Sequence, residues 1–211
     1  MRQWIAVLDM EGVVTPEIWI AVAEATGVEG LRLTTRDIAD YDELMRHRLQ
    51  LLQKHSISLS QIQGIIRTLQ PLDGAAAFLD ALRAQVPVIL LSDTFEQFAQ
   101  PLLEKLHWPT LFCHRLIVQD DQIVDYQLRI PDQKRRTVEA LRNLNFAVIA
   151  VGDSYNDLTM LRAADAGVLF RPPENVRKAA PEFPSVETHT QLLEEILRQI
   201  QSSKLEETSS T

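Results

Sequence analysis

The chain has a single cysteine, Cys113, among its 211 residues. A disulfide within the chain is therefore excluded, and so is a zinc site built from cysteine pairs. Basic residues are outnumbered, 21 Lys and Arg against 29 Asp and Glu, for a net charge of −8. Gripping duplex nucleic acid needs a basic footprint, so no nucleic-acid partner is expected. No apolar run approaches the roughly 20 residues of a membrane helix, so no membrane partner is expected either. The apolar stretch behind Met1-Arg2-Gln3 ends at Asp9, too soon for a secretory signal. These absences lead to the expectation of a cytoplasmic protein.

Hydrophobic residues make up 45% of the chain, enough for a sizeable core. Three short apolar runs share one design. Trp4 to Leu8 leads into Asp9, Val86 to Leu91 into Ser92 and Asp93, and Ala147 to Val151 into Gly152 and Asp153. None alternates with polar residues, as expected of strands buried on both faces of a parallel sheet. A helical pattern follows each, so the units read as strand–helix repeats of an α/β fold. Ligands of such sheets bind beyond the carboxyl ends of the strands, where all three runs place polar side chains.

The stretch 15–70 is different in character. Thr15-Pro16 reads as an N-cap with proline at the first helical position, and Gly27 as the stop. Tyr41, Leu44, Met45, Leu49 and Leu52 form the stripe of a second helix, and a third begins near Ser58 or Ser60. This stretch is read as an inserted helical cap, with 1–14 and 71–201 forming the core. Further core elements are expected as helices near Gly74 to Ala84, Phe95 to Leu106, Asp132 to Asn143, Asn156 to Ala163 and His189 to Ile200. Strands are expected at Leu111 to Cys113 and Gly167 to Phe170, and a β-hairpin across Leu116 to Arg129. The polar stretch 202–211 reads as a disordered tail. Oligomeric state stays open, a dimer included, with Trp108 and the hairpin as candidate contact surfaces.

Four segments carry chemistry. Asp9-Met10-Glu11 pairs two acids at a strand end: a carboxylate can attack phosphorus, and a second can serve as acid and then base. Alone, that pair is better read as a strand end and a turn. Gly152-Asp153-Ser154-Tyr155-Asn156-Asp157 sets two acids four apart at a strand-to-helix junction. Magnesium takes such oxygen ligands, with Asp153 suited to the metal and Asp157 either a ligand or a supporting partner. Helix capping is the plainer account of the same residues. Ser92, followed by Asp93, is expected at a helix start, where a hydroxyl and backbone N–H groups can meet a phosphate. Lys134 stands in the first turn of a helix, against the dipole, a cost that a phosphate partner would justify. Arg48 falls on the second helix's apolar stripe, where a substrate carboxylate would suit it. Cys113 and His114 suggest a thiol and a base, but neighbours on a strand face opposite ways, and Cys113 is read as buried packing.

In order, Asp-x-Glu, Ser, Lys and Gly-Asp-x-x-x-Asp match the four motifs of the haloacid dehalogenase superfamily, and the chain resembles that superfamily throughout its core. Asp9-Met10-Glu11-Gly12-Val13, Pro16-Glu17-Ile18-Trp19, Thr34-Thr35-Arg36-Asp37, Leu91-Ser92-Asp93-Thr94-Phe95 and the Gly152 to Asp157 segment narrow the resemblance. They are similar to the branch of phosphoserine phosphatases that also act as homoserine phosphotransferases. The fold this implies is a Rossmann-like three-layer α/β/α core, mainly parallel, with an inserted small helical-bundle cap of the superfamily's first type. The implied cofactor is Mg2+, held by Asp9, Asp153 and the Glu11 backbone carbonyl. Asp9 would be the nucleophile and Glu11 the acid/base. Ser92, Lys134 and Asn156 would hold the phosphoryl oxygens, while Glu17 and Arg48 would recognise the amino acid. The implied substrate is phosphoserine, with homoserine as an acceptor. Glu stands at position 11 where many relatives have Asp, and Asp93-Thr94 replaces two glycines, so Asp93 joins the candidate substrate contacts. Rival readings are a phosphatase of the same superfamily acting on another small phosphate monoester, a receiver module and a degenerate binding protein. A receiver is smaller and lacks the insertion.

Overall fold

The computed structural model describes residues 2–35, 37, 38 and 40–209, with side chains as far as 203. Arg36, part of one motif above, lies outside the described residues. The three apolar runs become strands β1 (Gln3–Leu8), β2 (Val88–Phe95) and β5 (Phe146–Gly152). β3 (Thr110–Gln119), β4 (Gln122–Gln127), β6 (Ala166–Phe170) and β7 (Ser185–Val186) complete the sheet. The order is β4-β3-β2-β1-β5-β6-β7. Every pairing is parallel except that of β3 with β4.

Successive side chains of a strand point to opposite faces, and here both faces are covered. Trp4, Ala6 and Leu8 join a core with Phe78, Leu79, Phe98 and Leu192. These come from α4 (Ala75–Arg83), α5 (Glu96–Lys105) and α9 (His189–Ser209). Ile5 and Val7 face a second cluster with Val138, Leu158, Leu161 and Val176. Its helices are α6 (Gln133–Asn143), α7 (Leu158–Ala163) and α8 (Glu174–Ala179). This is the expected three-layer α/β/α arrangement, and burial on both sides explains the absence of polar alternation.

Between β1 and α4 the chain forms α1 (Ile18–Thr26), a 3-10 turn (Glu29–Arg32), α2 (Tyr41–Lys54) and α3 (Leu59–Thr68). α1 ends on Gly27, whose φ of 70° is the left-handed conformation expected of a stop. Ser58 and Gln61 form a capping box that starts α3. In α2 the buried stripe holds Leu44, Met45, Arg48 and Leu52. The β3–β4 hairpin braces these helices. Asp121 accepts from Ser60 N–H at 3.0 Å, and the Tyr126 hydroxyl reaches Asp42 at 2.5 Å.

Several expectations are corrected. Thr15 is not an N-cap, because its N–H and hydroxyl both turn back to the Met10 carbonyl. The helix instead begins at Ile18. β2 runs through Ser92 to Phe95, so Ser92 is in a strand and not at a helix start. The strand expected at Leu111 and the hairpin's first arm are one continuous β3. Helix α9 continues past Ile200 to Ser209, where an unstructured tail was expected from 202. Lys204, Leu205, Glu206 and Glu207 are good helix formers, so the helix outlasts its apolar face. β7 and α8 had no sequence signal, being too short to show a period.

Phe98 is fully buried, with its ring against Trp19 at 5.4 Å and Phe95 at 5.7 Å, so it ties α1 to the sheet. Phe98→Ala is expected to cost about 3–5 kcal/mol in urea unfolding. A loss below about 1 kcal/mol would contradict this packing.

Candidate active site

β1 and β5 are the neighbours at which the chain reverses its direction across the sheet, and a crevice opens there beyond their carboxyl ends. Leu8 pairs with Val151, and the Asp9 N–H donates to the Val151 carbonyl at 2.9 Å. Asp9 and Asp153 therefore leave adjacent strands side by side. The loop after Asp9 passes directly over Asp153. This is possible because position 12 is glycine: its φ is +80°, and a Cβ there would lie 2.6 Å from the Asp153 carboxyl.

Asp9, Asp153 and Asp157 are all buried, and one ligand atom from each lies within 4.8 Å of the others. Asp157 is already committed. Its Oδ2 accepts from the Asp153 and Ser154 N–H groups at 3.0 and 3.1 Å, and its Oδ1 meets Lys134 Nζ at 2.8 Å. Gly152 makes room for it, since a Cβ there would overlap the Asp157 Cβ. Asp157 thus holds the loop and the lysine in place. Asp9 and Asp153 are the carboxylates aimed into the crevice.

Lys134 is also buried, with Nζ 2.9 Å from Asp9 and 3.9 Å from Asp93. Burial works against its charge, but Asp157, Asp9 and Asp93 together outweigh burial and hold its pKa well above the ordinary value. Asp9 is pushed up, first by burial and then by the charge of Asp157, with Asp153 adding to it. To attack as a nucleophile Asp9 would have to be ionised, and these crowded acids would then call for positive charge beyond Lys134. A hard divalent cation between Asp9 and Asp153 would supply it, and all-oxygen donors suit magnesium.

Glu11, two residues on from Asp9, lines the same crevice. Its Oε2 accepts from Ile18 N–H at 2.9 Å, so this acid from the β1 loop caps α1. Glu17, in the N-cap position, makes no side-chain cap bond. Burial pushes Glu11 up to about 8, Glu17's charge adds to this, and the Ile18 N–H and Arg48 oppose it. A carboxyl that keeps its proton near neutral pH can act as a general acid.

A cavity of about 400 Å³ joins these groups to Glu17, Arg48, Ser92, Asp93 and Asn156. All ten predicted site residues are therefore in or around one crevice. Arg48 stacks over Trp19 at 4.6 Å and donates to the Leu33 carbonyl at 2.8 Å, but its buried Nε has no hydrogen-bond partner. Burial pulls the guanidinium down to about 10. Ser92 is 1% exposed, with its Oγ 3.2 Å from Thr94 N–H.

Four residues beyond the sequence reading support the site. The buried His114 accepts from Arg129 N–H at Nδ1, which leaves Nε2 as the donor, 3.5 Å from Asp93. Asn156 reaches the other Asp93 oxygen at 3.3 Å, and the Tyr41 hydroxyl donates to the Asp93 carbonyl. Burial alone would raise Asp93, but Lys134, His114 and Asn156 hold it below the usual carboxylate range. Gln133 Nε2 donates to the Ser92 carbonyl at 2.5 Å. An apolar stripe gave Tyr41 a packing explanation, Gln133 carried no motif, and Thr94 was read only as part of the Leu91 to Phe95 segment. Cys113 is buried and pushed up to about 12, which bears out packing over a thiolate role. A larger hollow of about 650 Å³ between α1 and α3 holds no carboxylate, lysine or arginine in its lining and is no rival.

Comparison with known proteins agrees with this fold. The haloacid dehalogenase-like hydrolase family matches residues 5–165. Phosphoserine phosphatase of Pseudomonas syringae pv. tomato is 54% identical over 92% of this chain and 82% of its own length. Phosphoserine phosphatase ThrH of Pseudomonas aeruginosa is also 54% identical, over 92% and 95%. A solved phospho-aspartyl intermediate analogue of phosphoserine phosphatase shares the fold, with a TM-score of 0.74 at 21% identity, covering 89% of this chain and 95% of its own.

Gly152→Ala would force the Asp157 side chain away from Lys134 and from two loop amides. It should lower the urea-unfolding free energy by about 1–3 kcal/mol, as overpacking does. An unchanged midpoint would show that Asp157 is not held as described.

Proposed function

The chain belongs to the haloacid dehalogenase-like hydrolases, and we propose that within this family it is a magnesium-dependent phosphoserine phosphatase that also passes the phosphoryl group to homoserine. The observation that carries the proposal is Asp9, buried against Lys134 and Asp153 in one crevice with Glu11, whose carboxyl burial pushes up to about 8. The two 54%-identical relatives named as phosphoserine phosphatases support the substrate.

In the proposed reaction, Lys134, Ser92 and Asn156 hold the phosphoryl oxygens. Asp9, Asp153 and the Glu11 carbonyl would hold the magnesium ion, which when bound offsets the charge of substrate and acids. An Asp9 oxygen forms a bond to phosphorus as the bond to the serine oxygen breaks, and Glu11 gives its proton to that oxygen. Water or the homoserine hydroxyl then bonds to phosphorus as the Asp9 oxygen–phosphorus bond breaks and frees the Asp9 carboxylate, and the attacking group's proton returns to Glu11. Arg48 takes the amino acid's carboxylate, as its buried, unpartnered Nε suggests, and Glu17 takes the ammonium. We read 15–70 as a cap over a core of 1–14 and 71–201, closing to exclude bulk water, and place the enzyme in the cytoplasm.

Asp93 favours a second reading. An ionised acid 3.9 Å from Lys134 stands close to the phosphoryl position, so another small phosphate monoester with a cationic group is the alternative substrate. A phosphoester panel assayed with and without homoserine separates the two.

Asp9→Asn is expected to lower phosphoserine turnover by at least about a thousandfold, as loss of a nucleophile does. Activity near wild type would end the proposal. Arg48→Ala should raise KM about 10–100-fold with a smaller effect on kcat, reflecting a lost charged hydrogen bond. An unchanged KM would remove Arg48 from the substrate site.

A further inference from the structure

Two stretches of chain connect the sheet to helices α1–α3. One leaves β1 through Val13 and Val14, and the other returns through Leu72 and Asp73 to α4. They run side by side, with Leu72 N–H donating to the Val14 carbonyl at 3.0 Å. His189, the first residue of α9, is buried against both. Its Nδ1 is 2.8 Å from the Asp73 carbonyl oxygen, and its Nε2 is 2.8 Å from the Val13 carbonyl oxygen. Carbonyl oxygens only accept. A neutral imidazole donates from one nitrogen, and only the imidazolium donates from both.

We infer that His189 is a positioning residue that works as a buried imidazolium, clamping the outgoing and returning connections through both ring nitrogens. The surroundings suit a cation. The rings of Phe78 and Phe170 lie 5.3 and 4.7 Å from the imidazole, tilted by 34° and 31°, and aromatic faces attract positive charge. Gly74, with φ +82°, turns the returning connection at the clamp, and a Cβ on it would lie 3.6 Å from Nδ1. Asp73 contributes its backbone carbonyl, so the clamp engages main chain on both sides and fixes the path of the chain. The Val13 end lies two residues past Glu11, so the clamp also sets where the Asp9–Glu11 loop leaves the site. This inference is independent of which phosphoester is the substrate.

Imidazole nitrogen NMR of the full-length protein near neutral pH tests the charge state. Proton-bearing nitrogens at both His189 ring positions are expected, and a bare ring nitrogen would overturn the inference. His189→Phe keeps a ring between Phe78 and Phe170 and removes both donors. The Leu72 amide should then exchange with solvent at least about tenfold faster, while Val7 and Ile149 in the sheet keep their protection. Leu72 exchange equal to wild type would overturn the clamp. If the variant fails to fold, the nitrogen spectrum of the unmodified protein still decides.

Discussion

The arrangement of this site depends on one buried ammonium group. Lys134 lies within 2.9 Å of both Asp9 and Asp157, and 3.9 Å from Asp93. Four acids at the carboxyl edge of the sheet would repel one another without it, and burial pushes Asp9 and Asp93 toward the protonated form. Lys134 helps hold Asp93 below the usual carboxylate range, and Asp157, bonded to the lysine, organises the loop that presents Asp153. A single lysine does not neutralise the set. The negative charge left over at Asp9 and Asp153 would suit a divalent cation, and the fold gathers it by ending β1 and β5 beside each other.

The helical stretch is bound into the same electrostatics. Glu11 reaches out of the β1 loop and accepts from the first N–H of α1, while the Tyr41 hydroxyl, at the start of α2, donates to the Asp93 carbonyl. Arg48 faces Glu11 and Glu17 from the middle of α2 and opposes the rise in Glu11's pKa. A shift of these helices relative to the sheet would therefore change the surroundings of Glu11 directly. This connects the position of the helices to the proton that the proposed chemistry needs.

The strands were legible in the sequence because burial on both faces writes an unbroken apolar run, and the site was legible because acids end those runs. Arg48 was legible because it breaks a stripe. What stayed hidden depends on contacts distant in sequence. Nothing in Thr15-Pro16 reveals that Thr15 hydrogen-bonds back to Met10 or that Glu11 supplies the missing helix cap. In the sequence His114 suggests only a base beside Cys113 and His189 reads as an isolated histidine, and only the fold shows that one holds Asp93 and the other touches two connections 60 residues apart along the chain. Ser92 was placed in the right crevice for a partly wrong reason, since a strand and not a helix terminus presents it.

The account turns on Asp9 becoming phosphorylated during turnover. Its most direct test is a rapid acid quench of the enzyme turning over phosphoserine with magnesium, followed by mass spectrometry of its peptides. The account predicts a phosphoryl group on the peptide carrying Asp9, localised to that side chain and lost when turnover is allowed to finish. A phosphoryl group on another residue, or turnover with no phosphorylated enzyme at any quench time, would contradict it.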